Sequence, residues 1–231
     1  MKFYGIQKLS LVDYDTEVSC TLFSRGCNMR CPFCHNFELV VFNEDFSEAI
    51  PDDDIKNYLI LHNNRLSAVV ITGGEPTLDP TLEEMCDYCK GLGYKVKLDT
   101  NGTNPQVVRR LIEKGLIDYI ALDIKNSKEE YSKTVGVKDF DTTPIEETVR
   151  YLIYHDFPYE FRTTLVDPLH TNESIESMGK WLEGANVLYL QHFKESEFVP
   201  DKTLKEIPTK NALEMRRILE KYIKNVNLRG Y

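Results

Sequence analysis

A chain of 231 residues, 42% hydrophobic and 28% charged, can bury a full core without a disulfide staple and suits one large domain. Its formal net charge of −9 argues against sequence-independent binding to nucleic acid, which depends on neutralising phosphates. No apolar run approaches the roughly 18 residues that span a membrane, and the opening stretch MKFYGIQKLSLVDYD lacks the apolar core of a signal peptide. The expectation is a cytoplasmic protein without a membrane partner, whose cysteines are thiols or metal ligands.

Taken in chain order, short β-branched runs predict strands over 19–23, 67–72, 95–100, 119–124, 160–166 and 187–193. Between most of them lie amphipathic segments: 52–64 after Pro51, 80–92 ending near Gly91 and Gly93, 105–114 stopping at Gly115, 144–155, and 172–183 stopping at Gly184. Proline at the start and glycine at the end are helix-boundary chemistry. A last helix is expected over about 210–224, and the polar segment 125–143 reads as the longest loop. Alternation of this kind implies a parallel sheet covered by helices. Six strands are too few for a closed eight-stranded barrel, which leaves an open partial barrel or a doubly wound sheet. In such folds ligands gather at the carboxyl ends of the strands. Those ends read SRGC, TGGEP, DTNG, DIKN, TTLVDP and LQHF, five of them polar or glycine-rich, which predicts one shared site.

Three of the six cysteines, Cys27, Cys31 and Cys34, fall in the stretch RGCNMRCPFCHN. A lone cysteine in such a chain is usually a small buried hydrophobe, but C-x3-C-x2-C around Pro32 is hard to explain that way. Structural zinc takes four ligands; His35 is adjacent to Cys34 and poorly placed to join it, and Cys20 could serve only with unusual geometry. Three thiolates suit a [4Fe–4S] cluster in which one iron keeps an open position for a small molecule.

C-x3-C-x2-C with the aromatic Phe33 before its last cysteine resembles the signature of the radical S-adenosylmethionine (SAM) enzymes. The resemblance implies an α/β fold, a partial (β/α)6 TIM-like barrel with parallel strands, outer helices and a C-terminal helix. It implies a single domain over 1–231, with a core of about 15–195 and a helical extension of about 205–231. It also implies one [4Fe–4S] cluster on Cys27, Cys31 and Cys34 whose open iron binds SAM, so that Phe33 and His35 lie beside the cofactor. By the same resemblance TGGEP, with Gly73, Gly74 and Glu75, meets the methionine amino group. LDTNG brings Asp99, Thr100 and Asn101 to the ribose or sulfonium, and LDIK brings Asp123 and Lys125 to the cofactor carboxylate. Arg162 has two candidate partners, that carboxylate or a structural one. LQHF offers Gln191 and His192 to the adenine or ribose, and their opposite facings in a strand allow only one of them to do so.

The blocks CPFCHNFELV, ITGGEPTL, KLDTNGTNP, GLIDYIALDIK and FRTTLV together resemble the activating proteins of anaerobic ribonucleoside-triphosphate reductase. That implies an oxidoreductase that installs a glycyl radical on this partner, fed by a flavodoxin- or ferredoxin-like electron donor. The alternatives are a pyruvate formate-lyase-type activating enzyme, a small-molecule enzyme resembling 7-carboxy-7-deazaguanine synthase, and a zinc-binding interaction module. CDYC (86–89) imitates a redox or metal motif, but lies within a predicted helix where Cys86 and Cys89 line the buried face. The stripe Met215, Ile218, Leu219 and Tyr222 reads as a packing face.

Overall fold

The computed structural model describes residues 1–41 and 48–231. In chain order its elements are β1 (Phe3–Ser10), β2 (Ser19–Ser24), α1 (Phe37–Val40), α2 (Asp52–His62), β3 (Ala68–Gly73), a 3-10 turn (Pro76–Leu78), α3 (Leu82–Gly91), β4 (Lys95–Thr100), α4 (Pro105–Glu113) and β5 (Tyr119–Asp123). They continue with α5 (Tyr131–Val135), α6 (Thr143–Tyr154), β6 (Tyr159–Asp167), α7 (Asn172–Trp181), β7 (Val187–His192), β8 (Lys205–Glu206), α8 (Thr209–Leu219) and β9 (Asn225–Arg229). All six expected strands and the five expected inner helices are present. Among the described residues no helix is long and apolar enough to cross a membrane.

The chain divides into two compact units, with β5 shared between them. The first comprises Met1–Asn28, Glu38–Thr100 and Asn104–Ala121. In it β2 runs parallel to β3, and β3 parallel to β4. β2 and β3 are buried over four consecutive residues each, SCTL and AVVI, as strands covered on both faces must be. α3 turns Cys86 and Cys89 inward, both fully buried, so CDYC is a packing face as its helical spacing implies. α4 opens on Pro105, and α6 of the second unit carries Pro144 in its first turn, where a missing backbone N–H costs nothing.

The second unit comprises Met29–Phe37, Asn101–Thr103 and Leu122–Tyr231. β6 runs parallel to β7, and β7 parallel to β9. Its core includes Tyr131, Phe161, Leu165, Met178, Leu190 and Phe193. α7 begins with a reciprocal cap: the Ser174 N–H donates to Thr171 Oγ1 at 3.2 Å, and the Thr171 N–H to Ser174 Oγ at 3.1 Å.

Three expectations are corrected. β1 was not expected; it pairs antiparallel with β2, and its three consecutive exposed residues Gln7, Lys8 and Leu9 hide the alternation by which strands are recognised. Within 125–143, residues 131–135 form the short α5, ended by Gly136 at φ 67°. The extension over 205–231 is not helical throughout. β8 pairs with β6, α8 stops at Leu219, and NVNLR forms β9. The stripe on α8 does pack inward at Met215 and Leu219. Among the described residues neither β1 nor β9 has a second neighbour in the sheet, so these strands form an open α/β sheet.

Candidate functional site

In the first unit, the loop after β2 that carries Cys27 is laced to the loop after β3. The Gly74 N–H donates to Ser24 O at 3.0 Å and the Glu75 N–H to Gly26 O at 2.7 Å. A Cβ on Gly73 would stand 2.3 Å from Ser24 O, and one on Gly74 would stand 2.0 Å from Gly26 O. The two glycines are therefore required by contact between loops. Glu75 is buried, and its Oε1 accepts from the Thr77 N–H at 3.0 Å and from the Thr77 and Thr100 hydroxyls at 2.5 and 2.7 Å. This carboxylate ties the ends of β3 and β4 together. Asp99 Oδ1 lies 3.8 Å from the ammonium of the buried Lys97 on the same strand.

In the second unit, Cys31 and Cys34 close a tight turn in which the Cys34 N–H donates to Cys31 O at 3.1 Å. Two outside contacts fasten it. The Arg30 N–H donates to Val135 O at 2.8 Å, and the Asp201 N–H to Pro32 O at 3.1 Å. Gly136 permits the first, since a Cβ there would lie 2.4 Å from Arg30 O. Phe33 is buried, and the His35 ring packs against Phe193 at 5.6 Å between centroids, burial lowering its pKa. Asn101 is a buried turn residue whose Oδ1 accepts from the Thr103 N–H and hydroxyl at 3.1 and 2.7 Å.

Asp123 and Lys125, at the end of β5, form the centre of this unit's charge cluster. Lys125 Nζ donates to Asp123 Oδ2 at 3.1 Å, and Arg162 Nε to Asp123 Oδ1 at 2.9 Å. Burial alone would raise the Asp123 pKa, but the two cations and their hydrogen bonds outweigh it and hold it at about 2. Burial likewise works against the Lys125 ammonium, yet Asp123 and the nearby Cys31 sulfur raise its pKa. The Cys34 thiol is pushed up by burial and drawn back by Lys125. Of the two partners weighed for Arg162, the structural one is present: Arg162 lies on Asp123 and, at 3.9 Å, on Glu160.

Gln191 and His192 separate as their alternation requires. His192 Nε2 lies 2.9 Å from Glu206 Oε2 and its ring meets Tyr231 edge-on at 4.7 Å. Gln191 shares the strand face of Tyr189, whose ring carries Arg229, itself bonded to Glu160. Gln191 is thus on the side of the charge cluster.

Several residues that hold this arrangement were not singled out from the sequence. His170 is fully enclosed; its Nδ1 accepts from the Val166 N–H at 3.0 Å, so Nε2 donates to Lys125 O at 2.8 Å. The Tyr131 hydroxyl accepts from the Lys125 N–H at 3.3 Å, and Asn126 donates to Leu169 O and Thr134 Oγ1. Glu160 was discoverable, because it precedes Arg162 by two in a predicted strand and so shares its face. Arg229 was hidden by the helical reading of the C-terminal segment.

Among the described residues no three His, Cys, Asp or Glu side chains gather as they would around a single ion. A cubane asks something different, with each thiolate on its own iron. The donor chemistry fits that: three thiols lie within eight residues of sequence, and in the second unit Cys31 and Cys34 sit in a turn fastened on both sides next to a fixed ammonium.

Comparison with known proteins agrees with this chemistry. The family description "Radical SAM superfamily" matches residues 21–183. A Methanocaldococcus jannaschii protein, provisionally named a glycyl-radical enzyme activating enzyme, is 34% identical over 236 residues, 97% of this chain and 94% of its own. The pyruvate formate-lyase-activating enzyme of Listeria monocytogenes is 27% identical over 74% of this chain and 71% of its own. In fold, Streptococcus suis SuiB bound to S-adenosylmethionine matches with a TM-score of 0.69 at 17% identity, over 90% of this chain and 49% of that one.

Proposed function

Since this chain belongs to the radical SAM superfamily, we propose that it is a glycyl-radical activating enzyme whose partner is anaerobic ribonucleoside-triphosphate reductase. Residues 1–231 act as one functional domain, with Cys27, Cys31 and Cys34 as the ligands of a [4Fe–4S] cluster. Held by these three thiolates, the cluster would supply the single electron that reductive cleavage of the SAM sulfonium requires. The hydrogen abstracted would come from a backbone glycine of the partner.

This chain's residues bind and orient. Lys125 offers a fixed ammonium to the cofactor carboxylate, and Asp123, ionised at neutral pH, keeps it charged and aimed. Arg162 reinforces the same corner from β6. The loop carbonyls around Gly73 and Gly74 and the carboxylate of Glu75 are acceptors for the cofactor ammonium. Asp99, Thr100 and Asn101 stand for the ribose or sulfonium, with Phe33, His35 and Gln191 beside the nucleoside. His192, occupied by Glu206 and Tyr231, has the weaker claim. A flavodoxin- or ferredoxin-like protein is the electron donor.

The observation that carries the reading is the cysteine turn beside the Lys125–Asp123 pair. The nearly full-length likeness to a provisionally named activating enzyme supports it. The test is anaerobically reconstituted, reduced protein mixed with SAM, with and without the reductase. The expected result is 5′-deoxyadenosine from the normal protein, none from Cys31→Ala, and a glycine-centred radical in the reductase by electron paramagnetic resonance. Product together with a radical only in pyruvate formate-lyase would move the assignment to that type. Zinc without iron or sulfide in the reconstituted protein would end it.

A further inference from the structure

We propose that the C-terminal strand β9 works in the cofactor site: Glu160 and Arg229 are positioning residues that fix the guanidinium of Arg162 on Asp123. The inference rests on the reading above, in which SAM binds beside Asp123 and Lys125. β9 lies beyond the matched segment 21–183, and none of the expected site residues comes from it.

Five charged side chains of alternating sign make a continuous ladder in the second unit. Lys125 meets Asp123, Asp123 meets Arg162, Arg162 reaches Glu160, and Glu160 is gripped by Arg229. The last contact is two-pronged, with Arg229 Nη1 to Glu160 Oε1 at 3.2 Å and Nη2 to Oε2 at 3.0 Å. Parallel forks of this kind fix direction as well as distance. On its other side the Arg229 guanidinium stacks 3.8 Å over the Tyr189 ring. The backbone sets the arrangement. Glu160 and Arg162 share a face of β6, and Arg229 pairs in register with Gln191 on β7, two residues past Tyr189.

Arg162 Nε donates to Asp123 Oδ1 at 2.9 Å, and its Nη1 lies 3.9 Å from Glu160 Oε1, so the Glu160 charge, itself fixed by Arg229, biases the guanidinium plane from its far edge by attraction and not by a hydrogen bond. Burial makes the device costly: the Glu160 side chain is 2% exposed and that of Arg162 12%. Buried ion pairs return little net stability once desolvation is counted, so a ladder this long is better accounted for by orientation than by stability. Lysine could replace neither arginine, since it has no planar fork.

The test separates orientation from simple charge. The dissociation constant for SAM is measured by equilibrium dialysis on reconstituted holoprotein for Glu160→Gln, Arg229→Gln and the double variant, with iron content and melting temperature alongside. If charge at the site mattered, adding positive charge by Glu160→Gln and removing it by Arg229→Gln would shift SAM binding in opposite directions. Positioning predicts that both weaken it, by roughly tenfold, and that the double variant is no worse than either single one, because the two act through each other. Arg229→Lys should fold even if the glutamine variants do not, and should show part of the same loss. Normal SAM affinity in these variants, opposite shifts, or additive losses overturns the inference while leaving the proposed function intact. Failure of the normal holoprotein to bind SAM overturns both.

Discussion

The chain uses two sets of three cysteines in opposite ways. Cys20, Cys86 and Cys89 lie in the core of the first unit with no exposed surface, and burial pushes the Cys20 and Cys86 thiols up to about 12. Cys27 and Cys34 are half-buried on a loop, and in the second unit burial pushes the Cys34 thiol up while the ammonium of Lys125 draws it back, an offset that the Cys20 and Cys86 thiols lack. The same side chain is a small hydrophobe in one setting and, in the function proposed above, a ligand in the other. C-x2-C occurs in both sets, as Cys31–Cys34 and Cys86–Cys89, so that spacing by itself distinguishes nothing; a helix that buries one pair and a fastened turn that presents the other do.

The largest effect expected is on metal content. Cys31→Ala should leave reconstituted protein with little bound iron, whereas Cys86→Ala should keep the full complement and lose only about 1 kcal/mol of stability. Iron and sulfide analysis with denaturant unfolding measures both, and equal iron loss in the two variants would break the comparison. Next comes the loop pair beside Cys27. Gly74→Ala would drive a methyl to 2.0 Å from Gly26 O and should cost about 3 kcal/mol. Gly91→Ala, in a helix with nothing within 4 Å, should instead stabilise by roughly 0.5–1 kcal/mol. If both glycines tolerate alanine, the loops are not laced as described.

A third prediction concerns acid. Asp123 has a folded pKa of about 2 against an ordinary 3.8. Its contribution is fully present above that ordinary value and is lost as pH falls through the folded one. Asp123→Asn should therefore flatten the acid limb of the stability curve between about pH 4 and 2; an unchanged slope would mean that the pair with Lys125 and Arg162 is not formed. The smallest effect is kinetic. In apo-protein at mildly alkaline pH, an aromatic disulfide reagent should modify Cys27 and Cys34 first and Cys31 more slowly. Cys20, Cys86 and Cys89 should react only on unfolding. Early labelling of Cys86 would contradict its enclosure in α3.

Much of this was legible in the sequence, for identifiable reasons. β2 to β5 announce themselves because they carry three or four consecutive buried residues, which writes an apolar run, and β7 by its alternation of buried and half-buried residues. The helices between them are marked by Pro105 and Pro144 at their starts and by Gly115 and Gly184 after two of their ends. The cysteine triplet was legible because its ligands are local in sequence. Gly73 and Gly74 were legible as places where backbone is approached closely, but the sequence does not show that Ser24 and Gly26 do the approaching. β1 and β9 escaped notice because edge strands are half exposed and carry charges such as Lys8 and Arg229, which erases the alternation.

The sequence by itself determined the family, the αβ alternation and the likeness to a metal-binding loop, since each is written in residues close together along the chain. Only the tertiary structure decided that Arg162 lies on Asp123 and Glu160, that His170 and Tyr131 hold the Lys125 backbone, and that Arg229 reaches Glu160 from 69 residues away. Such contacts depend on which strand faces meet after the sheet has assembled, and a buried charge accepts whichever opposite charge that register delivers.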